Sequence, residues 1–296
     1  MNKGLIYAII AYFLWGIFPV FWKALQNVPA KEILCHRMVW SFVFVLLILI
    51  NKRHWKWLKL IKTNFKIALI FFGTASLLAI NWFVYVWSVN HGLIVETSLG
   101  YFINPLLSVI LGFIFLKERP RFFQWIAIII AAGGIFYLTF SYGIFPWIAL
   151  TLASTFGFYG LLRKTAPLNA LEGLSLETAI LFFPAAFYLI NLEIFRTGSF
   201  GHGIPQTTFL LAFSGVATGL PLLFFAAAAR KITLINLGFL QYIAPSLQFL
   251  LGVFVYHEIV SRTRLTGFII VWIALLIYTV ESIRHARRRN RKKLSI

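Results

Sequence analysis

TSLGYFINPLLSVILGFIFLKE (residues 97–118) returns in altered form as LGFLQYIAPSLQFLLGVFVYHE (residues 237–258). A shift of 140 residues carries Pro105, Gly112 and Glu118 onto Pro245, Gly252 and Glu258. At a shift of 141, GIFPVFWK (16–23) meets GFYGLLRK (157–164), which aligns Gly16 and Lys23 with Gly157 and Lys164. Self-similarity at a fixed offset is the mark of an internal duplication. Each copy is also a long apolar run, and about 20 such residues of helix cross a hydrocarbon layer of roughly 30 Å.

Working outward from these two stretches, apolar runs recur at 4–23, 33–50, 67–89, 97–116, 122–140, 144–162, 174–195, 207–229, 233–256 and 265–283. The expected fold is therefore an all-α membrane protein of ten transmembrane helices. Of 296 residues, 60% are hydrophobic and 12% charged, and the mean hydropathy of +0.87 is beyond what a water-soluble core absorbs. A membrane β-barrel would show alternating segments of about ten residues, whereas these runs are longer and apolar on every face. The first run follows Lys3 as a signal peptide would. It continues through Trp15 and Trp22 with no small-residue cleavage site, so it reads as a helix. A single cysteine, Cys35, leaves no intramolecular disulfide and no cysteine-rich metal site.

The formal charge of +19 would suggest a nucleic-acid partner in a soluble protein. Its distribution points elsewhere. With the N-terminus in the cytoplasm, 21 of the 27 Lys and Arg residues fall on inside segments. Lys23, Lys31, Arg196, Arg262 and Arg264 fall outside, and Arg37 lies within the second run. Basic residues resist translocation, so this bias places both termini in the cytoplasm without nucleic acid. Within Lys52–Lys66, apolar Trp55, Leu58, Ile61 and Phe65 beside lysines suggest an interfacial amphipathic helix. The last residues, 284–296, read as a basic cytoplasmic tail, an orientation signal that also suits anionic lipid.

The repeat divides the chain into residues 1–140 and 141–283, with five runs each. An odd number of crossings makes the second copy enter the membrane from the opposite side, the inverted arrangement that supports alternating access. Pro105 and Pro245 fall near mid-membrane, where a missing backbone hydrogen bond bends a helix.

The chain resembles the RarD-like branch of the EamA, or drug/metabolite, transporter superfamily over nearly its whole length. The strings that carry this are AYFLWGIFPVFWK (11–23), EILCHRMVWS (32–41), NWFVYVWSVN (81–90), TSLGYFINPL (97–106), FYGLLRK (158–164) and LGFLQYIAPSLQFLLGV (237–253). The resemblance implies two inverted five-helix bundles around a central cavity, a bacterial inner-membrane location, and export or exchange of small metabolites or amphipathic drugs.

Physical reading supplies the candidate site. Ionisable groups inside spans face a wet cavity or a partner. His36 and Arg37 open the second run, with Glu32 four residues before His36. Two readings fit: the three form a structural anchor, or Arg37 meets an anionic or zwitterionic substrate while His36 titrates. Glu177 corresponds to His36 at the 141 shift and could instead serve the start of its own helix. Asn81, Trp82, Tyr85, Tyr101 and Asn104 from the third and fourth runs, with Thr218, Gln241, Tyr242 and Gln248 from the eighth and ninth, would give a mixed aromatic and amide pocket. Tyr12 and Trp15 read equally as packing. Gly215 and Gly219 in the eighth run, and Gly133 and Gly134 in the fifth, suggest close helix contacts.

No aspartate occurs, and no glutamate is expected at mid-membrane, so His36, Glu96 or Glu177 are the available proton carriers. No H-E-x-x-H, G-x-S-x-G or nucleotide-binding loop is present. The expectation is a non-enzymatic transporter with no cofactor and no metal, whose partners are a small-molecule substrate and membrane lipid. A channel or scaffold is the alternative, which the duplication disfavours.

Overall fold

The computed structural model describes residues 3–53, 55–91, 93–141, 145–257 and 261–294. Glu258, and the side chains of Glu96, Arg264 and the basic residues from Arg287 to Lys293, lie outside what is described. The elements are α1 (Lys3–Gly16), α2 (Phe18–Lys23), α3 (Ala30–Lys52), α4 (Trp57–Thr63), α5 (Phe65–Asn90), α6 (Ile94–Phe115) and α7 (Phe122–Ser141). They continue with α8 (Trp147–Thr165), α9 (Ala170–Ile194), α10 (Pro205–Ala229), α11 (Leu234–Gln241), α12 (Ile243–Phe254) and α13 (Arg262–Leu294).

Among the described residues, nine stretches are long and apolar enough to cross a membrane: α1 with α2, α3, α5, α6, α7, α9, α10, α11 with α12, and α13. Phe136 and Phe140 on α7 and Phe183 and Phe187 on α9 point outward, between 61 and 78% exposed. Such a surface requires lipid to cover it. The chain is a multi-pass helical membrane protein.

The expected sixth span is α8, shifted three residues toward the C-terminus, and it is not among the nine. Its 19 residues reach about 28 Å, long enough to cross, but they carry more polar and small residues. Its position fits this: α8 packs against α5, α6 and α10 with ten of its residues buried, so much of its surface faces protein, while Trp147, Leu150 and Phe158 stay exposed.

Three other regions gain detail. The basic segment forms only the short helix α4, which buries Trp57 against Leu49, Ile67 and Phe71, while Trp55, Leu58 and Phe65 stay exposed. Residues 284–294 continue α13 without a break, so the basic tail begins as helix. Pro105 sits inside the single helix α6, whereas Pro245 follows a break between α11 and α12 at Tyr242.

Helix packing follows a regular scheme. α1 lies on α10 as α8 lies on α5; α10 lies on α3 as α5 lies on α9; α8 lies on α6 as α1 lies on α11 and α12. The remaining main contacts join α3 with α9, α6 with α11, and α7 with α13. The start of α1 meets Lys231 and Ile232, and the end of α13 meets Asn236 and Arg121. One end of the bundle thus collects Lys3, Arg121, Lys164, Arg230 and Lys231, and is called the basic face below.

Gly215 sets the α3–α10 distance. A Cβ there would fall on the backbone of Trp40, and Ser41 Oγ donates to the Gly215 carbonyl at 3.1 Å. Backbone cannot yield as a side-chain tip can, so Gly215→Val is expected to cost ~2 kcal/mol or more. Gly133→Val, with nothing within 4 Å of a built Cβ, should leave the thermal-unfolding midpoint in detergent almost unchanged.

Candidate functional site

A cavity of about 290 Å³ lies at the centre of the bundle, walled by α1, α2, α3, α5, α6, α8, α10, α11 and α12. The sequence makes room for it with prolines. Pro19 interrupts the first span and has no N–H for the carbonyl of Trp15, four residues earlier. Gln248 Nε2 donates to that carbonyl at 3.0 Å, tying α12 to α1. Pro245 also lines the cavity, beside the α11/α12 break.

Arg37 dominates the electrostatics. Its Nε donates to Thr218 Oγ1 at 2.9 Å, and its guanidinium carbon lies 4.8 Å from the Trp22 ring centroid and 5.1 Å from that of Trp82. The two rings hold the cation by their electron-rich faces. Among the described residues no ion pair involves Arg37, and none of the cavity-lining residues is acidic. Asn104 is 4% exposed and its Oδ1 has no hydrogen-bond partner. Tyr85 and Tyr101 meet edge to face at 6.2 Å. Asn81 serves structure as well, since its Nδ2 donates to Leu152 O and Thr155 Oγ1, both at 2.9 Å.

The structure thus brings together Arg37, Asn81, Trp82, Tyr85, Tyr101, Asn104, Thr218, Gln241 and Gln248 around one space. His36, Glu177 and Tyr242 do not line it, which corrects their expected placement. His36 is one residue and so about 100° of helix away from Arg37. It stacks on Phe200 at 4.9 Å, with Nε2 3.8 Å from Glu32 Oε1. Glu32 in turn accepts from Ser199 N at 2.6 Å and Ser199 Oγ at 3.0 Å, anchoring the α9–α10 connection. Tyr242 is buried and donates to Phe102 O at 3.3 Å. Pro105 O faces Gly238, whose missing side chain lets α11 approach α6.

Glu177 lies toward the basic face, wholly buried, with Oε1 3.6 Å from Arg163 Nε and Oε2 accepting from Tyr159 OH at 3.3 Å. By sequence Arg163 falls one residue past the apolar run that ends at 162. Because α8 runs to Thr165, it lies inside the protein, fully buried, donating to Ala170 O at 2.9 Å and lying 5.4 Å from the Phe71 ring centroid. Above this pair, Phe225 contacts Phe156 at 5.1 Å, Tyr159 at 5.8 Å and Tyr12 at 6.3 Å. These rings floor the cavity. The lining residues of α5, α6 and α8 fall in the halves of those helices farthest from the basic face.

Sequence reasoning left out Phe18, Pro19, Trp22 and Phe156, which also line the cavity. The signal was present in FPVFW (18–22), a proline within an aromatic stretch near the end of the first run.

A helical membrane bundle around a polar and aromatic cavity is a form that suits a membrane transporter. The EamA-like transporter family matches residues 2–140. The chain is 44% identical to the uncharacterized transporter YojE of Bacillus subtilis over 97% of this chain and 96% of that protein. It is 42% identical to protein RarD of Escherichia coli, covering 98% of each, and 44% identical to protein RarD of Streptomyces exfoliatus, covering 97% of this chain and 91% of that one. A solved structure titled only as a crystal structure of a protein shares the fold, with a TM-score of 0.71 at 16% identity over 94% of this chain and 98% of that one. The chain belongs to the EamA-like transporter family, in its RarD-like branch.

Proposed function

We propose that this protein is a secondary transporter that exports or exchanges small organic metabolites or drugs bearing an acidic group, by alternating access. The observation that carries this reading is Arg37, a guanidinium held between two tryptophans with no acidic partner among the described residues. A half-buried cation without a counter-ion has lost hydration that nothing nearby replaces. A carboxylate or similar anion bound in the cavity would supply the missing charge, and the orphan Asn104 Oδ1 would accept from a donor elsewhere on the same molecule. Trp15, Trp82, Tyr85 and Phe156 suit an apolar or aromatic body.

The inverted-repeat reading, residues 1–140 against 141–283 with ten crossings in all, is supported by the exchange-related packing of the helices. Each half would adopt in turn the arrangement its partner has just left. The charge bias supports a cytoplasmic basic face, both termini inside, in the bacterial inner membrane. The cavity then faces outward, with the Phe225 cluster and the Arg163–Glu177 pair closing the cytoplasmic side. A channel would need a path through that floor.

The test is flux in proteoliposomes using a series matched in size: a carboxylic acid, its primary amide and the corresponding amine. Saturable uptake of the acid with counterflow is expected, and the amide and amine should compete poorly. Linear, non-saturable leak would identify a channel and overturn the reading.

A further inference from the structure

The Pro–Gly–Glu spacing that marks the repeat has a structural meaning at Glu118. α6 ends at Phe115, and Lys117 turns the chain back with a left-handed φ of 54°. Glu118 N then donates to Gly112 O at 3.1 Å. This return aims the carboxylate across the basic face. Glu118 Oε1 accepts from Leu234 N at 2.8 Å and Oε2 from Ile235 N at 3.0 Å. These are the first two amides of α11, which have no partner within their own helix. Thr233 Oγ1 serves the third, Asn236 N, at 3.2 Å. Gly112 leaves room for this carboxylate: a Cβ there would lie 2.8 Å from Glu118 Oε2 and 3.1 Å from Leu234 Cβ, so the carboxylate would have to shift.

Lys164 joins the same cluster. Its Nζ lies 3.7 Å from Glu118 Oε1, donates to Ala229 O at 3.1 Å, and also donates to Ile232 O. One carboxylate and one ammonium therefore tie the ends of α6, α8, α10 and α11 together. These are the four helix ends that would have to part for the cavity floor to open on this side.

We propose that Glu118, backed by Lys164, is the gating residue that holds the basic face shut. The proposal rests on the alternating-access reading. For that face to open, the carboxylate must leave the α11 amides. Glutamine in its place offers one acceptor oxygen and no charge, so the closed state loses one of its two amide contacts and the attraction to Lys164.

The experiment uses the full chain in membranes with Cys35, the only cysteine, replaced by serine. Two reporters are made separately. Ser108→Cys lies one turn from Asn104 toward Glu118 and is buried; Leu222→Cys lines the cavity. A membrane-impermeant thiol reagent is supplied to one face at a time. Glu118→Gln is expected to raise labelling of Ser108→Cys from the basic face about tenfold and to lower labelling of Leu222→Cys from the opposite face. Lys164→Gln should shift both in the same directions by less, and serves if Glu118→Gln is poorly folded. Glu281→Gln removes another carboxylate of this face, the partner of Arg121, and should shift neither. No change at Ser108→Cys with Glu118→Gln overturns the gating role, as does increased labelling of both reporters from both faces, which would signal general loosening. A rise at Ser108→Cys without the fall at Leu222→Cys supports the latch and overturns alternating access.

Discussion

Arg37→Gln is expected to weaken substrate uptake in proteoliposomes by between about ten- and a hundredfold in half-saturation, with the protein still inserted and folded. The size follows from the interaction lost. A hydrogen bond to a charged group contributes about 1.5–3 kcal/mol, and each 1.4 kcal/mol is roughly tenfold in affinity. Stability should not fall with uptake, because the substitution removes a half-buried cation that no acidic group among the described residues balances. Arg37→Lys retains charge but loses the planar face that sits between Trp22 and Trp82 and the fork that grips a carboxylate, so an intermediate defect is expected. Uptake of the acid unchanged in Arg37→Gln would remove this residue from the site and with it the argument for an anionic substrate.

The largest effect on stability is expected at the Arg163–Glu177 pair. Glu177→Leu alone strands a guanidinium that is fully buried among α5, α8 and α9. Breaking one partner of such a pair costs about 3–5 kcal/mol. The double variant Arg163→Met with Glu177→Leu removes both charges and should recover most of that loss. The midpoint of thermal unfolding, followed by the monodisperse fraction on size-exclusion chromatography, reads both. If the double variant were no better than the single one, the loss would lie in packing around Tyr159 and Phe71 and not in the stranded charge. Gly173 offers an independent check: Arg163 Nη1 occupies the space a side chain would take, so Gly173→Ala should destabilise by the same route.

These two arginines show where reading the chain succeeds and where it stops. Both were visible as exceptions in an apolar sequence. Arg37 falls inside the second apolar run, whereas Arg163 falls one residue beyond the sixth, which ends at 162, and so reads as a basic residue at the membrane surface. Three further residues of helix moved it from the membrane surface to the interior. Helix ends are the least certain feature of an apolar run. Here, one turn separates a solvated charge from one that needs Glu177.

His36 and Arg37 illustrate a second limit. Adjacent residues on a helix point about 100° apart, so only one of them can face a given cavity. A soluble helix would reveal its inner side through an apolar stripe, but α3 is apolar nearly all round and carries no such phase. Its neighbours α9 and α10 supply it, turning Arg37 inward and seating His36 against Phe200.

Apolar run length and charge bias were enough to read a helical, multi-pass membrane protein. Those features depend on the thickness of a bilayer and the cost of moving charge through it, which act on each segment separately. Which polar residues meet in the cavity, which pair off elsewhere, and that Glu118 reaches the amides of α11 across 116 positions of sequence were set by helix packing. Helical phase and the contact between distant ends arise only when the segments assemble, because each helix alone presents its polar groups to no particular neighbour.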